Sequence, residues 1–257
     1  ALFSSPDLKR WDKLCDVKLP GTTECPEFFE IAVDGNKKDT RWIFYGGNGR
    51  YLIGRFDGKI FRPDSGPHTL HFGNCFYASQ TFNQLPPKDG RRILVAWGQV
   101  NLPGMPFNQM MDFPVELTLR ATDEGLRLFV NPVKEIESLR ARSHRVKSQP
   151  LAPDRNPLAD IKGELFDLNA DLSPEGAEEI SFQIRGVPVV YDAKKQELTC
   201  QGKTAPLRPV DGRIRLRMLV DRASIEIFGN DGRLYMPMGV ILPQDNDSLE
   251  IHARGGP

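Results

Sequence analysis

The chain has 257 residues, with 39% hydrophobic and 26% charged side chains. That is the make-up of a folded globular protein of one large or two ordinary domains, and it excludes a highly charged disordered chain. The formal net charge is +0, from 34 basic and 34 acidic side chains, which argues against a nucleic-acid or anionic-membrane binder, because such affinity rests on excess positive charge.

No stretch approaches the roughly 20 apolar residues of a membrane-crossing helix. The 23 Gly and 21 Pro suit a chain with many tight turns. Four cysteines, Cys15, Cys25, Cys75 and Cys200, are too sparse for a disulfide scaffold and lack the CxxC spacing of structural zinc. The N-terminal Ala1-Leu-Phe-Ser-Ser-Pro6 has neither the basic region nor the apolar core of a signal peptide, and no initiator Met. It reads as though cut from something longer.

In chain order, Trp42-Ile-Phe-Tyr45, Gly46-Gly47-Asn48-Gly49 and Tyr51-Leu-Ile-Gly-Arg-Phe56 form a run, a Gly-rich turn and a second run, the pattern of a β-hairpin. Arg92–Trp97 is a further strand. Val115–Arg120 alternates apolar with polar and turns at Asp123-Glu124-Gly125 into Leu126–Val130. Strand-sized segments about ten residues apart, with no helices between them, predict an all-antiparallel architecture, a propeller or a sandwich.

One segment, Pro132–Arg140, spaces Val133, Ile136 and Leu139 as a helix would. Three prolines between Ser148 and Pro157 then mark an extended connection. The second part is again β: Glu179–Arg185, Arg213–Val220 and Ser224–Phe228 have period-2 alternation. In Arg213–Val220 the pattern predicts a half-buried strand with its arginines on a solvated face. Asn230-Asp231-Gly232-Arg233 reads as a hairpin turn, and about 100 residues of such strands point to a β-sandwich.

Among chemistry-bearing residues, Glu24 precedes Cys25, Pro26 and the aromatic pair Phe28-Phe29. A lone Glu ahead of a strand is most often a surface residue, but a carboxyl in apolar, aromatic surroundings is the arrangement that makes a general acid. Phe76, Tyr77, Trp97 and Phe107 occur near Asn74, Gln80, Gln99, Asn108 and Gln109. Aromatics with uncharged amides line sugar sites, where ring faces stack on C–H patches and amides bond hydroxyls; taken singly, each aromatic is better explained by core packing. His68, His71, His144 and His252 have no ligand spacing, so no metal and no cofactor are expected.

Six segments in order resemble glycoside hydrolase family 32, the β-fructosidases that include levanases, inulinases and invertases. They are Ser4-Ser-Pro-Asp-Leu-Lys-Arg-Trp11, Thr23-Glu-Cys-Pro-Glu-Phe-Phe-Glu30, Phe76-Tyr-Ala-Ser-Gln-Thr-Phe82, Arg91–Trp97, Gly104–Leu117 and Val220–Gly232. The resemblance implies an all-β fold: a partial, about three-blade portion of a five-bladed β-propeller over 1–135, a helical and Pro-rich linker over 136–158, and a C-terminal β-sandwich over 159–257. It implies retaining hydrolysis of terminal β-fructosyl linkages in fructans or sucrose. Glu24 would be the general acid/base, with Cys25 tuning it and Tyr77 and Trp97 lining the fructose subsite; Gln80 and Asn108, from the pattern of aromatics and amides, complete the substrate-binding candidates. Family habit implies a secreted or periplasmic protein.

Retaining chemistry needs a second carboxylate as nucleophile. In the family this is the Asp of an Asn-Asp-Pro-Asn motif, with a transition-state-stabilising Asp in Arg-Asp-Pro. Neither motif occurs here; Asp154 and the reversed Arg62-Pro63-Asp64 are no substitutes. His71-Phe-Gly-Asn74 also departs from the family, where the first position is often Asp. The expectation is therefore a chain inactive alone, its open propeller faces covered by an N-terminal fragment chain or by self-association; the alternative is a catalytically inert fructan-binding relative.

Overall fold

The structure, a computed structural model, describes residues 1–86, 88–151 and 155–255; Asp154 lies outside the described residues. A ribbon of β1 (Leu2–Ser4) and β2 (Asp12–Cys15) comes first. An antiparallel meander follows: β3 (Glu27–Val33), β4 (Asn36–Tyr45), β5 (Arg50–Phe56) and β6 (Phe61–Thr69). The second meander has β7 (Tyr77–Thr81) and β8 (Arg92–Gly98), the short β9 (Met110–Met111) added to the end of β8, then β10 (Val115–Thr122) and β11 (Gly125–Pro132). One parallel bridge, Leu119 to Val33, joins the meanders through β10 and β3.

The helical segment expected over Pro132–Arg140 is a 3-10 helix at Lys134–Leu139, with no buried residue. Beyond it lie β12 (Phe166–Leu172), β13 (Glu179–Ile184), β14 (Val187–Asp192), β15 (Glu197–Cys200), β16 (Lys203–Pro206), β17 (Ile214–Val220), β18 (Ser224–Gly229), β19 (Leu234–Gly239) and β20 (Leu249–Arg254). They form two antiparallel sheets, β12-β17-β18-β19 and β16-β15-β14-β13-β20. Period-2 alternation turns one apolar side of each sheet inward: Ile214, Leu216, Met218, Ile225 and Ile227 of the first share a core with Phe182, Val189, Tyr191 and Leu198 of the second. The chain is all-β. Asn230 and Asp231, both at positive φ, make the β18–β19 turn in the conformation whose twist matches its strands.

The arginine face of β17 corrects a sequence expectation. The face is solvated only at one end: the Arg213 and Arg215 side chains stay 42% and 37% exposed, whereas Leu219 enters the core of the meanders together with Phe228 and Tyr235, and Arg217 donates to both oxygens of Asp167, at 2.9 and 3.0 Å. The side of β17 and β18 away from the sandwich core packs on the N-terminal part, so all six residues of β18 are buried. Alternation along a strand cannot distinguish water from a second domain on its polar face.

The segment Phe72–Cys75 runs beside β19 and closes the junction. The Phe72 and Cys75 amides donate to the carbonyls of Tyr235 and Pro237, at 2.9 and 3.2 Å, and the Gly239 amide donates to Asn74 Oδ1 at 2.9 Å. Gly73 is required by this approach, since a Cβ there would fall 1.8 Å from the Pro237 carbonyl oxygen. The divergent His71–Asn74 stretch is thus a structural joint.

Candidate active site

The site begins with the Gly46-Gly47-Asn48-Gly49 turn between β4 and β5. Asn48 ties it to the loop before β3: its side-chain amide donates to the Gly21 carbonyl, and its Oδ1 accepts from the Thr22 hydroxyl, both at 2.6 Å. The Gly47 amide donates to the Glu24 carbonyl at 3.1 Å. Packing is close enough that a Cβ on Gly47 would stand 2.7 Å from Cys25 Cβ and 3.2 Å from Ala78 Cα. Cys25 and Ala78 are themselves left-handed, at φ 48° and 44°, a conformation uncommon for residues with a Cβ and concentrated where function demands a set geometry. Ala78 is the extra residue of a bulge in β7, where Tyr77 faces Trp97 and Gln80 faces Val95.

That bulge aims Tyr77 at Glu24. The Tyr77 hydroxyl donates to Glu24 Oε2, and this bond to a carboxylate, aided by desolvation, holds the phenol above its ordinary range. Tyr77, Trp97 and Met111 are paired directly across β7, β8 and β9, so their side chains share one face. The Tyr77 and Trp97 rings meet edge-on at 6.4 Å. Trp97 and Met111 are exposed, and together with Tyr77 they give an apolar wall beside a carboxylate, suited to stacking on a sugar ring while a proton is exchanged; Phe107 is exposed in the loop before β9.

Phe28 and Phe29, the aromatics that follow Glu24 in sequence, do not enclose it. Glu24 is exposed. Phe28 and Phe29 turn to opposite faces of β3, Phe28 against Trp42 at 4.6 Å and Phe29 into the core. The described cavities, of about 370 and 290 Å³, lie elsewhere, the larger beside Asn131, Asn169 and Arg217. Phe76 is core, packed between His71 at 4.2 Å and Tyr235 at 6.0 Å.

The structure therefore brings Glu24, Cys25, Tyr77 and Trp97 together. Gln80 is exposed on β7, on the Trp97 face one rung away. Asn108 spends its amide on its own loop, accepting from the Leu102 amide at 2.9 Å and donating to Asn101 at 3.3 Å. No group of three or more His, Cys, Asp or Glu able to hold a metal occurs among the described residues.

Sequence reasoning passed over two features. Glu27 is half-buried, and its oxygens accept from the Thr81 amide and hydroxyl at 2.9 and 3.0 Å. Asp112 and Glu226, 3% and 0% exposed, meet where the two halves of the chain join. Glu226 accepts from the Phe113 amide and the Tyr235 hydroxyl, both at 2.8 Å; Asp112 Oδ2 is buried without a partner. The available signal was Asp112 between Met111 and Phe113, and Glu226 between Ile225 and Ile227.

Comparison with known families decides what this fold is. Residues 1–132 match the model for the glycosyl hydrolases family 32 N-terminal domain and residues 135–256 the model for the family 32 C terminal. The chain belongs to glycosyl hydrolase family 32. Within it, a Bacillus subtilis levanase is 31% identical over 99% of the family 32 chain described here and 45% of its own length. An Aspergillus niger extracellular exo-inulinase is 26% identical over 100% of this chain and 57% of its own. The chain thus spans about half the length of these curated relatives.

Among solved structures, exo-inulinase from Aspergillus awamori superposes with a TM-score of 0.81 at 21% identity, covering 99% of this chain and 59% of that one. A Schwanniomyces occidentalis fructofuranosidase complexed with fructose gives 0.71 at 21% identity, covering 99% and 62%. Both share the family 32 fold.

Proposed function

We propose that this chain supplies the acid/base half of a retaining β-fructosidase acting on terminal fructosyl linkages of fructans or sucrose-type substrates. The observation that carries the reading is the Glu24 carboxyl, bonded by the Tyr77 hydroxyl beside the exposed Trp97. Glu24 protonates the leaving-group oxygen as the fructosyl bond breaks. Its carboxylate then takes the proton of the water that releases fructose from the enzyme. Tyr77, as a donor to the carboxylate, fixes the direction in which Glu24 presents its free oxygen. Cys25, in its left-handed conformation, sets the backbone from which Glu24 projects.

The nucleophilic carboxylate is carried by a segment bearing the family's Asn-Asp-Pro-Asn motif, and the same segment covers the exposed Phe3, Leu8 and Trp11 side chains. The chain alone should release no fructose from levan or inulin. Supplying the missing segment should restore release, and Glu24→Ala should then lower it 10²- to 10⁴-fold, as expected when a general acid is removed. Fructose release by the pure chain, or survival of activity in Glu24→Ala, would overturn the proposal. Equilibrium binding of fructan without turnover in the complemented protein would favour the inert relative instead.

A further inference from the structure

Glu24 lies in the loop that leads into β3, and β3 is not a neighbour of β7, which carries Tyr77, in their sheet. Between β3 and β7 the order interposes β10 and β8. Yet Glu27, three residues beyond Glu24, grips Thr81, four residues beyond Tyr77, with both carboxylate oxygens, at 2.9 and 3.0 Å. The donors are fixed in turn. Arg92 of β8 lies over the Phe29 ring at 4.7 Å and donates to Thr81 Oγ1 at 3.3 Å, so the Thr81 hydroxyl accepts from Arg92 while it donates its hydrogen to Glu27.

Two polar rungs therefore tie β3 and the loop leading into it to β7, Glu27–Thr81 from the strand and Glu24–Tyr77 from the loop. Between them lie Cys25 and Ala78, both left-handed. Such residues persist only where their surroundings over-determine them.

We propose that Glu27 is a positioning residue: its two bonds to Thr81 hold β7 against β3, keep Cys25 and Ala78 in their strained conformations, and so keep the Tyr77 hydroxyl on the Glu24 carboxylate. The inference rests on reading Glu24 as the proton carrier. Without the Glu27 carboxylate the bulge relaxes and Tyr77 leaves Glu24.

The test uses this chain labelled with 13C at the tyrosine ring carbons and follows the phenol titrations by NMR. Tyr77 stands apart from the other four tyrosines, which are buried, and Tyr77→Phe assigns its signal. In the parent chain the Tyr77 midpoint lies above the ordinary value of about 10 because the phenol donates to a carboxylate. Glu27→Ala should bring it down toward 10. Glu27→Gln, which keeps an oxygen for the Thr81 amide, should restore it; general destabilisation would not produce that rescue.

If Glu27→Ala leaves the Tyr77 midpoint unmoved while Glu24→Ala lowers it, the positioning role is wrong and the Glu24–Tyr77 pair stands. If Glu24→Ala also leaves it unmoved, the pair itself is wrong and the functional reading fails with it. Should Glu27→Ala not give a folded spectrum, Thr81→Val, which removes one bond of the two, should shift the midpoint the same way by a smaller amount; no shift there overturns the proposal.

Discussion

The C-terminal sandwich and the N-terminal meanders bury their sheet faces with different materials. The sandwich core is mostly aliphatic, with Phe182 and Tyr191 its aromatic members: Ile184, Val189, Leu198, Ile214, Met218, Ile225, Ile227, Met236 and Met238 are all fully or almost fully buried. Its left-handed residues with side chains, among them Arg185, Gln196, Gln201, Asn230 and Asp231, stand in the short connections between strands, where turns need that conformation. In the meanders, hydroxyls and carboxylates enter the packed layer instead. Tyr45 bonds Ser79 at 2.6 Å, deeply enough that burial drives the phenol far above its ordinary range, and Thr81 bonds Glu27. Two left-handed residues, Cys25 and Ala78, lie against Gly47 beside Glu24. Strain in the sandwich serves the chain's path, as it does at Asp34, Gln84 and Gln109 of the meanders; at Cys25 and Ala78 it serves a side chain's aim as well.

If that division is right, damage to the sandwich should cost stability and leave the Glu24–Tyr77 geometry intact. The largest effect is expected at Arg185, which is 2% exposed and donates to three carbonyls, of Asn246 at 2.7 Å, Glu164 at 3.0 Å and Pro243 at 2.5 Å. Arg185→Met orphans those three acceptors at about 1–3 kcal/mol each, so a total loss of at least about 3 kcal/mol should appear in urea denaturation. A loss under about 1 kcal/mol would mean that the three carbonyls find water and that the sandwich is not pinned there. Next comes the joint. Gly73→Ala drives a Cβ into the Pro237 carbonyl, an overpacking worth about 1–3 kcal/mol. It should split one calorimetric transition into two, whereas a single transition at a lower temperature would show that the two halves do not unfold separately.

What the sequence revealed and what it hid follow the same line. Hairpins with Gly or Asn-Asp turns were legible because the turn residues dictate local backbone: β4–β5 pairs Tyr45 with Tyr51 across the Gly turn, and β18–β19 pairs Gly229 with Leu234 across Asn230 and Asp231. β6 was not, since Arg62-Pro63-Asp64-Ser65-Gly66-Pro67 has low strand propensity and takes its strand form from pairing with β5. At the site, Glu24, Tyr77 and Trp97 were singled out by residue type and do converge. Glu27 was passed over because its partner, Thr81, is 54 residues away. Glu226 was hidden because alternation gave it a solvent face that β18, packed on both sides, does not have.

The Asp112–Glu226 pair gives the gentlest test, since it belongs to neither half alone. Burial pushes both carboxyls above the ordinary range, with the Glu226 charge adding to the rise at Asp112. Glu226 has two donors and suits the charged form, whereas the unpartnered Asp112 Oδ2 suits the protonated one. The neighbouring groups stay neutral across the window: burial lifts the Cys75 thiol to about 12 and the Tyr235 phenol further. The folded chain therefore holds a proton that the unfolded chain gives up near pH 4. For raised carboxyls this stabilisation is fully present below that pH and is lost as pH climbs through the folded values. Between pH 5 and 9 stability should decline, by at most about 1.4 kcal/mol per pH unit for each proton released. Asp112→Asn, which keeps the shape and cannot ionise, should flatten the slope. A variant as pH-sensitive as the parent would place the titrating group somewhere other than the joint.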